Sequence, residues 1–133
     1  MSALAPRILL GASLAAFASP ALAQISCTAP QRPMLDIELL LGRGKGSDAR
    51  WQAFLRDEVT PRFPDGLTVY DTTGQWRDPA RKIVVREKSR VLRILVQESA
   101  PAREKVAAIA DAYKKQFAQK SVGIVTRSAC ASF

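Results

Sequence analysis

From Met34 to Leu41 the chain alternates: Leu35, Ile37, Leu39 and Leu41 share one face, and Asp36, Glu38 and Leu40 the other. Successive side chains of a strand point to opposite faces, so this predicts a first strand with one face in a core. After Gly42-Arg43-Gly44-Lys45-Gly46 the period changes. Trp51, Phe54, Leu55 and Val59 recur at helical spacing, behind Ser47 as N-cap and Asp48 in the first turn, where the helix dipole favours an acid. Pro61 ends that helix. Pro64-Asp65-Gly66 is turn chemistry, with proline presetting one dihedral and glycine tolerating positive φ. Leu67 to Tyr70 begins a second strand, which Gln75-Trp76-Arg77 continues past Thr72-Thr73-Gly74 after a bulge.

Lys82 to Gln97 reads as a third strand, with Ile83, Val85, Glu87, Ser89 and Val91 against Val84, Arg86, Lys88, Arg90 and Leu92. Beyond Arg90 both faces are apolar except at Arg93, so the second half enters the centre of a sheet. A bulge near Lys88 to Arg90 accounts for the change of character. Pro101 sits near the start of a second helix, where its missing N–H costs nothing, and Val106, Ile109, Tyr113 and Phe117 form its apolar stripe. Val122 to Thr126 reads as a last strand leading to Ala129-Cys130. The order β-α-β-β-α-β is the ferredoxin-like pattern, an α+β two-layer sandwich whose antiparallel sheet carries both helices on one face. The other face is left bare, and pairing of two copies through it is one way to cover it.

The 133 residues make one domain, and the hydrophobic and charged fractions, 47% and 24%, are those of a globular protein. Residues 1–23 read as a Sec-type secretory signal: Arg7 gives positive charge, Ile8 to Ala18 an apolar run, and Ala21-Leu22-Ala23 a small-x-small cleavage site. The run ends short of the roughly 20 apolar residues that span a membrane. An extended leader over residues 24–33 then precedes a single domain, 34–133. The expected location is the periplasm or the exterior. A lipid anchor on Cys27 is disfavoured, because Gln24 stands where that signal wants an aliphatic residue. Cys27 and Cys130, an even count in an exported chain, are expected to pair.

Histidine is absent, which excludes Ser-His-Asp and Cys-His nucleophile pairs, histidine zinc sites and histidine haem ligands. With both cysteines paired, carboxylates are the strong ligands that remain, so neither metal nor cofactor is expected. The glycine-rich loop invites a phosphate-binding reading, but Lys45 is followed by Gly46 where a P-loop needs Ser or Thr opening a helix. A connector before a helix is the simpler account.

Glu38 to Arg43 (ELLLGR), Trp51 to Leu55 (WQAFL), Thr60 to Val69 (TPRFPDGLTV), Gly74 to Arg77 (GQWR), Glu87 to Val91 (EKSRV) and Ala129-Cys130 resemble the domain-of-unknown-function 3574 family of small, often exported bacterial proteins. The resemblance covers Met34 to Phe133. It implies a compact exported domain and assigns no catalytic residue.

Polar groups on strands and at strand ends are the candidates for chemistry: Glu38, Arg43, Arg62, Gln75, Trp76, Glu87, Ser89 and Arg90. In a ferredoxin-like sheet the first and third strands are central neighbours, so Glu38 and Glu87 can approach one another. Two close carboxylates drive their pKa values apart, which acid-base catalysis uses, and arginines beside them would hold an anionic substrate. That is the enzyme reading, on a tautomerase-like or αβ-barrel-like scaffold. The simpler reading pairs each glutamate with an arginine in a structural network, and sees Trp76 as a lid over the core. Arg77, Arg81, Lys82, Arg86, Lys88, Arg90 and Arg93 form a basic run. Nucleic acid is not expected as its target in an exported protein, whereas an anionic envelope component or a small anionic ligand is. The leading expectation is a non-catalytic binding or interaction module of the bacterial envelope.

Overall fold

A computed structural model describes residues 25–133, so the signal expected over residues 1–23 lies outside the described residues. The elements follow in the order β1 (Arg32–Gly42), α1 (Asp48–Phe54), β2 (Thr68–Arg77), β3 (Val84–Val96), α2 (Ala100–Gln116) and β4 (Gly123–Ala131). The four strands form one antiparallel sheet in the order β2-β3-β1-β4, the ferredoxin-like arrangement. β1 and β3 are the central pair, with Leu39 opposite Leu92 and Ile37 opposite Ile94.

Local chemistry explains the boundaries. Ser47 caps α1, its hydroxyl accepting from the Arg50 N–H at 3.2 Å. The helix widens into a π-helical turn, Leu55–Val59, closed by the Thr60 N–H on the Leu55 carbonyl at 2.8 Å, and Pro61 cannot extend it. Ser99 caps α2 by accepting from the Ala102 N–H at 3.2 Å.

The core lies between the helices and one sheet face. Leu35, Ile37, Leu39 and Leu41 of β1 and Leu92 and Ile94 of β3 meet Trp51, Phe54, Val59, Phe63 and the α2 stripe, all buried. Burying one such side chain contributes about 1.5–3 kcal/mol, so this face dominates stability. Tyr113 stacks on Phe117 at 4.3 Å and meets Phe54 edge-on at 5.3 Å. Its hydroxyl donates to the Gly42 carbonyl at 2.9 Å, and burial pushes the phenol up. Gly46 has no room for a side chain, since a Cβ there would lie 2.7 Å from the Phe117 ring. The glycine-rich loop is thus a connector that packs on Phe117 at Gly46, with Gly44 and Lys45 exposed.

Cys27 and Cys130 form a disulfide with a Cα–Cα distance of 5.6 Å, tying the segment before β1 to the end of β4. It spans 103 residues. A closed loop of about 100 residues stabilises a fold by up to about 4.7 kcal/mol in the chain-entropy account.

Two details of the sequence reading are corrected. The β2–β3 ladder runs in unbroken register from Thr68 opposite Arg93 to Arg77 opposite Val84, without a bulge at Gly74 or near Lys88 to Arg90. Gly74 marks a close approach instead: a Cβ would sit 2.8 Å from the Ser89 hydroxyl oxygen. The change of character at Lys88 marks where β1 stops. Gly42 pairs with Ser89, and beyond it Val84 to Glu87 have β2 as their one strand neighbour among the described residues. The end of the β2–β3 hairpin is therefore a two-stranded ribbon wet on both sides.

Candidate functional site

The bare sheet face carries an ion cluster at its centre. Asp36 on β1 accepts from Arg93 Nε at 2.7 Å and Nη2 at 2.9 Å, and from Arg127 Nη2 at 3.3 Å. Arg127 also reaches Glu38 at 2.7 Å. The Arg93 hydrogen bond, opposed by burial and helped by Arg127, holds the Asp36 carboxyl below the usual carboxylate range. Glu38 is thus one corner of a bracing network.

Glu38 and Glu87 do not meet. Glu38 lies opposite Arg93, and Glu87 is six residues further along β3, about 20 Å away at roughly 3.4 Å per residue. The arginines named as anion holders are engaged elsewhere. Arg43 pairs with Asp48 at 2.8 Å, and Arg62 with Glu58 at 2.9 Å while donating to the Glu58 carbonyl at 2.6 Å. Arg90 points to the helix-covered side, where it holds Asp48 at 2.6 Å and Asp71 at 3.1 Å beneath the Trp51 ring, 4.8 Å from its centroid. Gln75 accepts from Arg86 Nε at 2.7 Å. Trp76 covers no core: it stands on the bare face, opposite Val85, and is 47% exposed.

What the fold does assemble is a cleft of about 620 Å³ at the ribbon end of the bare face. The side chains of Trp76, Glu87 and Ser89 face it, three of the eight candidates, together with Leu40, Thr72 and Gln119, while Gln75 and Arg90 border it with side chains turned to the other face. Two glycines open its floor. Above Gly42, the position of a Cβ would lie 2.9 Å from Gln119 Oε1 and 3.1 Å from Glu87 Oε1, so these two acceptors converge there. The Gln119 amide donates to the Phe117 carbonyl at 3.3 Å, which turns its oxygen toward the cleft. Ser89 Oγ overhangs Gly74 beside Trp76. Among the described residues the half-buried Glu87 makes no ion pair and no side-chain hydrogen bond, although Lys120 also lines the cleft.

The stretches Glu38 to Arg43, Gly74 to Arg77 and Glu87 to Val91, picked out in the sequence, all touch this corner. Gln119 was missed, since it arrives from the loop after α2 and carries no local signal. Among the described residues no group of three or more Cys, Asp or Glu is placed to hold a metal ion.

Solved structures share the fold at low identity. A phage SAM lyase in complex with S-methyl-5′-thioadenosine is 16% identical, covering 74% of this chain and 90% of its own at a TM-score of 0.56. CutA from Synechococcus elongatus is 12% identical over 77% of this chain and 82% of its own, with a TM-score of 0.53. Its complex with a Bis-Tris molecule is 11% identical over 77% and 87%, at 0.51. Such likeness speaks to the fold alone. No curated protein matches. The family model described as "Protein of unknown function (DUF3574)" matches residues 36–133, and the chain belongs to that family.

Proposed function

We propose that this protein is an exported, non-catalytic binding module of the bacterial envelope, and that its ligand sits in the cleft of Trp76, Glu87, Ser89 and Gln119. The observation that carries the reading is the unpaired Glu87 carboxylate converging with Gln119 Oε1 over Gly42, beside an exposed tryptophan. Two acceptors that take no hydrogen bond among the described residues select a ligand that donates, and a carboxylate next to an indole suits an ammonium group. An anionic ligand has less support, because the arginines named for it already hold carboxylates. Export is supported by the Cys27–Cys130 disulfide, a bond of oxidising compartments. Among the described residues no helix is long and apolar enough to cross a membrane.

The test is an amide-resolved NMR titration with n-butylammonium, acetate and inorganic phosphate in turn. The ammonium should produce saturable shifts at Gly74, Glu87, Ser89, Gln119 and the Trp76 indole, and Glu87→Gln should remove them. Shifts produced by phosphate or acetate at this corner, or no response to the ammonium, would overturn the assignment.

A further inference from the structure

The free end of the β2–β3 ribbon is a second feature, separate from the cleft floor. Of the seven cations in the basic run, Arg90 and Arg93 are ion-paired within the sheet and Arg81 with Asp78, leaving four on the ribbon beside Glu87. Between these cations stand apolar side chains half out in water: Ile83 at the tip, 50% exposed, and Trp76, 47%, on one side of the ribbon, and Val84, 54%, on the other. Aliphatic groups on a projecting hairpin are a liability in water and ask for a partner.

The tip is also preshaped. Asp78 Oδ1 accepts from the N–H groups of Ala80 at 2.9 Å and Arg81 at 3.0 Å, and its Oδ2 from Arg81 Nε at 2.8 Å. The Asp78 N–H donates to the Ile83 carbonyl at 2.9 Å, and the Lys82 N–H to the Asp78 carbonyl at 2.8 Å. The loop therefore holds Ile83 and Val84 out with their backbone already ordered, which lowers the entropy lost on docking.

We infer that this ribbon tip docks end-on on anionic phospholipid surfaces, with Ile83 and Trp76 from one side of the ribbon and Val84 from the other entering the headgroup boundary and Arg77 and Lys82 meeting the phosphates. Tryptophan and aliphatic tips flanked by cations match the two layers of a membrane interface, apolar below and anionic above. A soluble polyanion satisfies the cations and leaves the aliphatic groups without a role.

The experiment uses the domain from Gln24 onward, which holds every strand, both helices and the disulfide described above. It is sedimented with vesicles of phosphatidylcholine alone or mixed equally with phosphatidylglycerol. Binding should require phosphatidylglycerol and weaken in about 1 M salt, where the screening length falls to roughly 3 Å. Trp76 should shift to the blue and escape acrylamide, while the buried Trp51 gives a constant background. Arg77→Gln with Lys82→Gln should weaken binding about thirtyfold, at roughly fivefold for each cation at a lipid surface. Ile83→Ser with Val84→Ser should remove the Trp76 shift. Both variants change exposed groups, so near-ultraviolet dichroism should match the parent. Glu87→Gln, which disables the proposed cleft, should leave vesicle binding undiminished and so separates the two proposals. Equal binding to phosphatidylcholine, binding indifferent to the tip variants, or competition by dextran sulfate with an unmoved Trp76 would each overturn lipid docking.

Discussion

The two faces of the sheet carry ion clusters built as opposites. On the helix-covered face the cation is buried: the Arg90 side chain is 6% exposed and its partners Asp48 and Asp71 are 71% and 83% exposed. On the bare face the carboxylate is buried: Asp36 is 6% exposed, and its partners Arg93 and Arg127 are 36% and 50% exposed. The guanidinium of Arg90 lies under an indole, so aromatic packing and two carboxylates together offset its desolvation. Asp36 has no such roof. What keeps water from it is the arginines themselves, whose long apolar stems cover sheet while their heads stay wet. One cluster is therefore part of the core, and the other is a screen of charges laid on a face the helices do not reach.

The largest expected effect tests the first half of that contrast. Arg90→Ala should cost about 2–5 kcal/mol in urea unfolding, since it opens a hole beside Trp51, while the exposed Asp48 and Asp71 return to water. Arg90→Leu sharpens the point. If it matches the parent, the site needs volume more than charge; a loss equal to that of alanine means that the carboxylates set the requirement.

Asp36→Asn should cost less, about 1.5–3 kcal/mol, the range for a hydrogen bond to a charged group. Its signature is pH dependence. The Asp36 carboxyl is lowered in the fold, chiefly by the Arg93 hydrogen bond. Its contribution is therefore fully present above the unfolded value of about 3.9 and is lost as pH falls through the folded value. Urea midpoints of parent and Asp36→Asn should differ at neutral pH and converge in acid. A gap that persists in acid would mean that Asp36 acts through packing, erasing the distinction between the two faces.

Much of this architecture was legible because short-range rules decide it. The alternation of Leu35 to Leu41, the Ser47 cap and the stripe from Val106 to Phe117 each specify an element and its buried side. Even the side of Arg90 was readable, since it shares parity with the core residue Leu92. Its role was not, because the carboxylate it meets comes from Asp48, 42 residues away. The meeting of Glu38 and Glu87 depended on register, which neither strand states alone; the pairing of Gly42 with Ser89 sets it and parts them. Gln119 reaches the cleft through the packing of α2, so no pattern within β2 or β3 announces it. The glycines at 42 and 74 were the visible trace of the cleft, and the bulge assigned at Gly74 misread a close approach to Ser89 as an inserted residue.

The smallest effect asks how much of the bare-face cluster is a network. Glu38 meets Arg127 on the edge strand β4 at 2.7 Å, but Arg127 is half exposed and also holds Asp36 at 3.3 Å. Exposed pairs contribute about 0.2–1 kcal/mol. Glu38→Gln should therefore shift stability by no more than about 0.5 kcal/mol, and by less at about 1 M salt, where such pairs are screened. The Arg90→Ala deficit, shielded by Trp51, should hardly change with salt. If Glu38→Gln costs as much as Asp36→Asn, the two carboxylates act as one unit through Arg127, and Glu38 regains the functional interest that its distance from Glu87 removed.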